Sequence, residues 1–126
     1  MTDLHRALYG FWSSFGMSAY LSGHVPKEAA YPYVTFEVSE GAAFGKTYLT
    51  AFAWYKAASG ANVNAQRAAF LDAVKARIGP GGLKLDNGGA FCAIYPNETN
   101  FLGYYDDPED ADVVGARVSY QIDYYK

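Results

Sequence analysis

The segment from residue 114 to residue 124 constrains the fold of this chain more than any other. Along it, apolar residues alternate with polar or small ones. The apolar set is Val114, Ala116, Val118, Tyr120, Ile122 and Tyr124, and the intervening set is Gly115, Arg117, Ser119, Gln121 and Asp123. A period of two places the two sets on opposite faces of an extended chain. The segment therefore predicts a β-strand with one buried face and one polar face.

An acidic segment precedes this strand. Its seven positions hold five carboxylates, which are Asp106, Asp107, Glu109, Asp110 and Asp112. So many like charges predict a solvated loop. A calcium site is the less favoured interpretation, because a proline interrupts the run and the central Gly and closing Glu of an EF-hand are missing. A third interpretation is that the acids line a pore or meet a basic partner, where complementary charge fixes orientation.

The distribution of charge bears on the class of partner. The net charge is −3, and residues 1–96 carry eight Lys or Arg against six Asp or Glu, whereas residues 97–126 carry two against seven. A basic patch interleaved with aromatic residues is missing, so we do not expect nucleic-acid binding. The chain has no run near the roughly 18 apolar residues of a membrane span and no signal-peptide pattern. We therefore expect a soluble protein without a membrane partner.

Size and composition indicate one domain. A chain of 126 residues can bury a single core without staples. Cys92 is the only cysteine, so an internal disulfide is excluded and the residue is expected to act as a small buried hydrophobe. Twelve Tyr and eight Phe residues suit a half-buried sheet. They also suit a subunit interface, and composition leaves both interpretations open.

Two segments predict helices. The first runs from Leu4 to Phe15 with apolar residues at helical spacing, and it should stop near Gly16. A loop is expected after it. The second runs from Val63 to Ile78 and ends at a Gly-Pro-Gly-Gly stretch, which cannot continue a helix.

Strands are predicted over the remaining apolar and β-branched stretches, at residues 31–38, 47–56, 83–85, 90–95 and 101–105. The stretch 47–56 is apolar on both faces and should be central. Asn87 and Gly88 indicate a hairpin turn between the third and fourth of these strands. The order of elements predicts a single α+β domain, 1–126, with a mainly antiparallel sheet of four to six strands and two helices packed on one face.

Reactive constellations are missing from the sequence. His5 and His24 are far apart and have no cysteine neighbour, so a metal site is not expected. A Gly-x-Ser-x-Gly nucleophile motif does not occur, and the glycine-rich stretch after the second helix lacks the Lys-Ser/Thr of a phosphate loop. Glu37 is interpreted as a strand residue on an open face. We therefore expect neither catalytic residues nor a cofactor.

The layout of the whole chain resembles the small tail-terminator and neck proteins of long-tailed bacteriophages. The fragments that carry the resemblance are the run Tyr31-Pro32-Tyr33-Val34, the strand with Ala53-Trp54-Tyr55 and its following Ser/Gly/Asn loop, the second helix, the hairpin from 83 to 95, and the closing strand from 115 to 124. The resemblance covers nearly the full length.

The resemblance implies a structural protein and not an enzyme. It implies a ring of identical subunits, usually six, that caps the end of the tail tube, stops its polymerisation and offers a surface for the head. The implied partners are further copies of the chain, the tail tube protein and the head-completion or connector protein, in the virion and in the host cytoplasm during assembly. The interface residues expected on this basis are Tyr48, Phe52 and Trp54, with the acids of the segment 106–112 as a docking or lumen element.

Alternatives remain open at this stage. The chain is also compatible with another neck, head-closure or minor capsid protein. A ligand-binding module that uses its aromatic surface, for instance for sugars, is a second possibility. An unrecognised enzyme is a third, and it would need a concave pocket with converging polar groups.

Overall fold

A computed structural model describes residues 3–40, 47–56, 63–86, 91–96, 101–106 and 112–125 of the chain. Two helices lie among them, α1 (Asp3–Ser13) and α2 (Val63–Arg77). The strands are β1 (Ser18–Leu21), β2 (Tyr33–Glu40), β3 (Thr47–Lys56), β4 (Leu83–Asp86), β5 (Phe91–Tyr95), β6 (Phe101–Asp106) and β7 (Val113–Tyr125). The domain is α+β, as the order of elements predicts.

The described strands form one sheet in the order β1-β2-β3-β7-β5-β4. β6 also pairs with β7, on residues 114–119, while β5 pairs with residues 121–125 of the same strand. The pairings are antiparallel except for β1 with β2, which is parallel. β7 therefore joins the part of the sheet formed by β1, β2 and β3 to the part formed by β4, β5 and β6.

Both helices pack on one face of this sheet. Their aromatic side chains meet: the ring of Phe70 on α2 lies 6.3 Å from the ring of Trp12 and 5.6 Å from that of Phe15. Arg77, at the end of α2, donates a hydrogen bond of 2.9 Å to the hydroxyl of Ser14. The helices thus close one shared core, in which Trp12 is fully buried.

The alternation in the last strand is confirmed between residues 116 and 122. The side chains of Ala116, Val118, Tyr120 and Ile122 are buried under the helices. The intervening residues lie on the opposite face, because successive side chains of a strand alternate. We call this second face, which the helices do not cover, the open face.

The strand count is higher than expected, with seven described strands instead of four to six. The extra strand is β1, which falls where the sequence predicts only a loop. It has four residues and pairs on one side alone, with β2. So short an edge strand has no room for a periodic signal, because two alternations cannot be told from chance. The mainly antiparallel prediction holds, with this one parallel exception.

The other elements agree with the predicted ones to within a few residues. β3 has the predicted bounds and lies between β2 and β7, so its central place is confirmed. β2 begins after Pro32, and α1 ends before Gly16, which has a φ of +85°. Cys92 is buried, and Glu37 is exposed on the open face. The predicted turn at Asn87 and Gly88 lies outside the described residues.

Candidate functional site

The open face carries the residues that the sequence nominates for an interface. On β3, the side chains of Leu49, Ala51, Ala53 and Tyr55 are buried against the helices. The alternate residues of the same strand are only partly buried: Tyr48, Thr50, Phe52, Trp54 and Lys56. β3 is therefore apolar on both faces, as predicted, and its second apolar face is the partly exposed one.

Three rings on this face form a compact group, which we call the aromatic cluster: Phe52, Trp54 and Tyr105. The rings of Phe52 and Trp54 stack with centroids 5.2 Å apart and an interplanar angle of 15°. Tyr105 reaches them from β6, with its ring 5.2 Å from Phe52 and 5.5 Å from Trp54, nearly at right angles to both. Edge-to-face and offset-stacked pairs of this kind are each worth about 0.5–1.5 kcal/mol beyond their area burial.

Gly115 makes this approach possible. It lies on β7 between Trp54 on one neighbouring strand and Tyr105 on the other, in register with both. A Cβ atom at this position would lie 2.7 Å from the carbonyl oxygen of Ala53 and 3.4 Å from the indole of Trp54. The missing side chain lets two aromatic residues meet across an intervening strand.

Polar contacts fix the cluster in place. The indole Nε1 of Trp54 donates a hydrogen bond of 3.0 Å to the hydroxyl of Thr35 on β2. The guanidinium of Arg117 lies 5.8 Å from the centroid of Phe52. The cluster is thus held by contacts within a single chain.

A second group of rings extends the aromatic surface to the edge of the sheet; we call it the tyrosine group, and it consists of Tyr20, Tyr31 and Tyr33. The ring of Tyr33 lies 5.8 Å from Tyr20 and 4.9 Å from Tyr31. Tyr33 is the register partner of Trp54, so the tyrosine group continues the aromatic cluster. Burial, together with a hydrogen bond that the Tyr33 hydroxyl donates to the side chain of Tyr31, raises the pKa of Tyr33 to about 12. We call the two groups together the aromatic band; it crosses β1, β2, β3 and β6.

Lys56 joins the aromatic band to the acidic segment. Its ammonium group lies 3.6 Å from a carboxylate oxygen of Asp112 and 4.8 Å from the ring centroid of Tyr31. Asp112 is exposed in the turn just before β7, and Asp106 ends β6. Asp107, Glu109 and Asp110 lie outside the described residues, so the calcium, solvated-loop and docking interpretations of this segment remain predictions.

The structure brings together some of the nominated interface residues but not all of them. Phe52 and Trp54 belong to the aromatic cluster. Tyr48 is half-buried at the opposite end of β3, in register with Gln121. Ring contacts in the described part of the chain do not connect it to the cluster. Tyr105 was missed, because its contacts depend on β6 pairing beside β7, and sequence spacing does not carry that pairing.

Further along the open face, the polar groups satisfy one another. The hydroxyl of Tyr95 donates to the carboxylate of Asp123 at 2.6 Å, and the amide of Gln121 donates to the same hydroxyl at 2.9 Å. This arrangement holds β5 to β7 by side chains as well as by backbone. Because Tyr95, Gln121 and Asp123 hydrogen-bond to one another, the aromatic band is the part of the open face better suited to binding a partner.

An open depression with a volume of about 380 Å³ lies beside α2 on the helix-covered side. It is lined by Phe15, Met17, Pro32, Tyr55, Gln66, Ala69, Phe70 and Ala73. The small side chains of Ala69 and Ala73, one helical turn apart, leave this space between α2 and the chain that leads into β1 and β2. Tyr55 supplies a hydroxyl to an otherwise largely apolar wall.

Within the described ranges, His, Cys, Asp and Glu side chains do not gather in a group of three or more that could hold a metal ion. Neither α1 nor α2 is long and apolar enough to cross a membrane.

Comparison with known proteins assigns this chain to no family: no family model, no curated protein and no solved structure matches it.

Proposed function

We propose that this protein is a structural assembly protein of the tail-terminator kind. It forms a closed ring of identical subunits on the end of a phage tail tube, stops the tube from growing and offers a surface for joining to the head. The observation that supports this proposal is the aromatic band on the open face. The layout of the sequence resembles that of tail-terminator and neck proteins. This resemblance supports a phage tail as the assembly to which the protein belongs.

The aromatic band has the character of a surface that is to be covered. Its rings are half-buried by one another, and helices cover only the other side of the sheet. Aromatic residues are enriched where protein interfaces are fully desolvated, with a polar rim around them. Here Lys56 and Asp112 supply charge beside the rings. We assign the open face to the contact with the tail tube.

A sugar-binding module is the weaker proposal for the same surface. Sugar rings stack on aromatic faces that are open to solvent. The rings of Phe52 and Trp54 stack on each other, which covers one face of each, and Tyr105 stands against both. A self-packed cluster of this kind is better suited to contact with a protein surface than to stacking on sugars.

Electron microscopy of particles made without this protein tests the proposal. Tails of uncontrolled length are expected if the protein terminates the tube. Detached tails of normal length would instead assign it to head–tail joining, and unchanged particles would overturn both assignments.

Binding to purified tail tubes tests the surface. Phe52→Lys should abolish binding, because it puts a charge into the aromatic cluster, and Tyr20→Lys should weaken it from the edge of the band. Glu37→Gln, on the same face but outside the band, is the matched control and should bind as the wild type does. Circular dichroism of each variant separates lost binding from lost folding. Equal binding by all of them would contradict the assignment of the open face.

A further inference from the structure

A second depression, with a volume of about 350 Å³, lies at the C-terminal end of α2. Its described walls come from the last turn of α2 and the stretch after it, from Pro96 after β5, and from strands β6 and β7. It shares no described lining residue with the depression beside α2 or with the aromatic band. Its volume falls at the lower end of the range for sites that bind small molecules.

The walls of the second depression are largely apolar. Leu102 on β6 is the register partner of Val118, so its side chain lies on the helix-covered face together with that of Tyr120. Ile78, directly after α2, and Tyr120 are buried, and Leu102 is half-buried. Because these three side chains line the depression, its favoured occupant has an apolar body.

The turn after α2 holds one side of the second depression in shape. The amide of Gly82 donates a hydrogen bond of 2.8 Å to the carbonyl oxygen of Gly79. Gly82 has a φ of +84°, and a Cβ atom there would lie 2.8 Å from the carbonyl oxygen of Ile94 on β5. The turn that carries Pro80 is therefore packed against the strand that leads to Pro96. Proline side chains have little conformational freedom to lose, so binding here orders few side chains.

Two lining residues carry polar side-chain groups. Lys75 is exposed and is the one charged residue among the described residues that line the second depression. Tyr120 carries a phenol whose pKa is raised by burial, so the hydroxyl stays protonated at neutral pH. A cation and a hydroxyl donor favour a ligand with an anionic oxygen. The described lining of the depression beside α2 holds no charged side chain, so this preference distinguishes the two depressions.

We propose that the second depression binds a small apolar carboxylate, a molecule with a compact hydrocarbon body and one anionic head. The hydrocarbon body packs against Ile78, Leu102 and Tyr120, and the carboxylate pairs with the ammonium group of Lys75. This inference goes beyond the proposed assembly function and does not rest on it, because the described lining belongs to one chain and lies away from the open face.

Octanoate, octanol and octylammonium test the site, because they share one hydrocarbon chain and differ in the charge of the head. Titration of the wild-type protein, followed by amide NMR, should show saturable binding of octanoate with the largest shifts at Gly79, Leu102 and Tyr120. Octanol should bind more weakly, and octylammonium most weakly. Equal affinity for the three probes would overturn the choice of an anion. Absence of saturable octanoate binding, or shifts centred on Phe70 and Ala73, would overturn the site.

A filling variant ties binding to the second depression. A Cβ atom at Gly79 would meet no atom within 4 Å, so Gly79→Leu adds bulk to the lining without a clash and should abolish octanoate binding. Gly81→Leu is the matched control, because Gly81 lies in the same turn with equally open space and is not among the described lining residues. It should bind octanoate as the wild type does. Leu102→Trp is a second filling variant, in case Gly79→Leu fails to fold.

A charge variant tests the head group. Lys75→Met should weaken octanoate binding about two- to five-fold, the effect of one exposed ion pair, and should leave octanol binding unchanged. Lys84→Met removes an exposed charge outside the described lining and should change neither affinity. Normal octanoate binding by folded filling variants would overturn the site, and an unchanged affinity in Lys75→Met would overturn the pairing with Lys75.

Discussion

The guanidinium of Arg67 on α2 donates a hydrogen bond of 3.3 Å to the backbone carbonyl oxygen of Gly115 on β7. One residue of the helix thereby holds the strand that lies between the two rings Trp54 and Tyr105 on the opposite face of the sheet. A residue on the helix-covered side thus contacts the strand whose other face lies beneath the aromatic cluster.

Replacing Arg67 with Met should lower the free energy of unfolding by about 2 kcal/mol, because hydrogen bonds to a charged donor are lost while the apolar stem is kept. Lys75→Met is the matched control, since Lys75 is exposed on the same helix, and it should change stability by no more than about 0.5 kcal/mol. Urea unfolding of both variants gives the comparison. Equal losses for the two would show that the buried hydrogen bonds contribute nothing specific.

Two glycine substitutions should have opposite signs. Gly115→Ala places a Cβ 2.7 Å from a backbone oxygen and should destabilise by about 1–3 kcal/mol, because neither strand can move freely. Gly10→Ala lies in α1 with no atom within 4 Å of the added Cβ and should stabilise by about 1 kcal/mol. Thermal melting measures both. A neutral Gly115→Ala would contradict the close approach of β3 and β7.

The aromatic cluster should be energetically coupled within the monomer. A double-mutant cycle of Phe52→Ala and Tyr105→Ala is expected to give a coupling energy of about 0.5–1.5 kcal/mol, because the rings are in direct contact. The cycle of Phe52→Ala with Tyr48→Ala should give a coupling close to zero, since Tyr48 has no described ring contact with the cluster. Chemical denaturation supplies the four free energies of each cycle. Indistinguishable couplings would remove the argument for a pre-ordered surface.

Stability should fall in alkaline solution. Burial raises the pKa of Tyr55 to about 12, an effect that the charge of Arg67 opposes, and burial also raises the pKa of the Cys92 thiol. In the unfolded chain these groups ionise at lower pH, so the stabilisation is complete below those lower values. It is lost as the pH rises toward 12, at no more than about 1.4 kcal/mol per pH unit for each group.

Urea unfolding of the wild type and Tyr55→Phe across this pH range checks the assignment. The variant should show a shallower fall above pH 10, while the two proteins should show the same pH dependence below pH 8. Identical slopes throughout would mean that the hydroxyl of Tyr55 is not buried as described.

The long helices and strands are predicted well from the sequence, because the periodic pattern of apolar residues recurs several times along each of them. The alternation of β7 runs over eleven residues, and it correctly separates the buried Val118 and Ile122 from the open-face residues. The Gly-Pro-Gly-Gly stretch after Ile78 ends α2, and Pro32 precedes the start of β2. Both effects depend only on neighbouring residues, so the sequence alone predicts them. The four-residue β1 is too short to repeat anything and was missed.

The candidate surface was only partly predictable, because it depends on which strands become neighbours. Phe52 and Trp54 share one strand, and their common face follows from spacing. Tyr105 joins them only because β6 and β3 flank β7 at Gly115. The depression beside α2 has no local sequence signal either, because it arises from packing between distant segments and from small residues that leave space.

The mass of the native wild-type protein at high concentration tests the central claim most directly, since the proposed ring consists of identical copies of this chain. We predict a single closed species with a small whole number of chains, six by the resemblance in sequence, whose proportion rises with concentration. A monomer of 13.8 kDa at all concentrations, with and without tail tubes, would contradict the account.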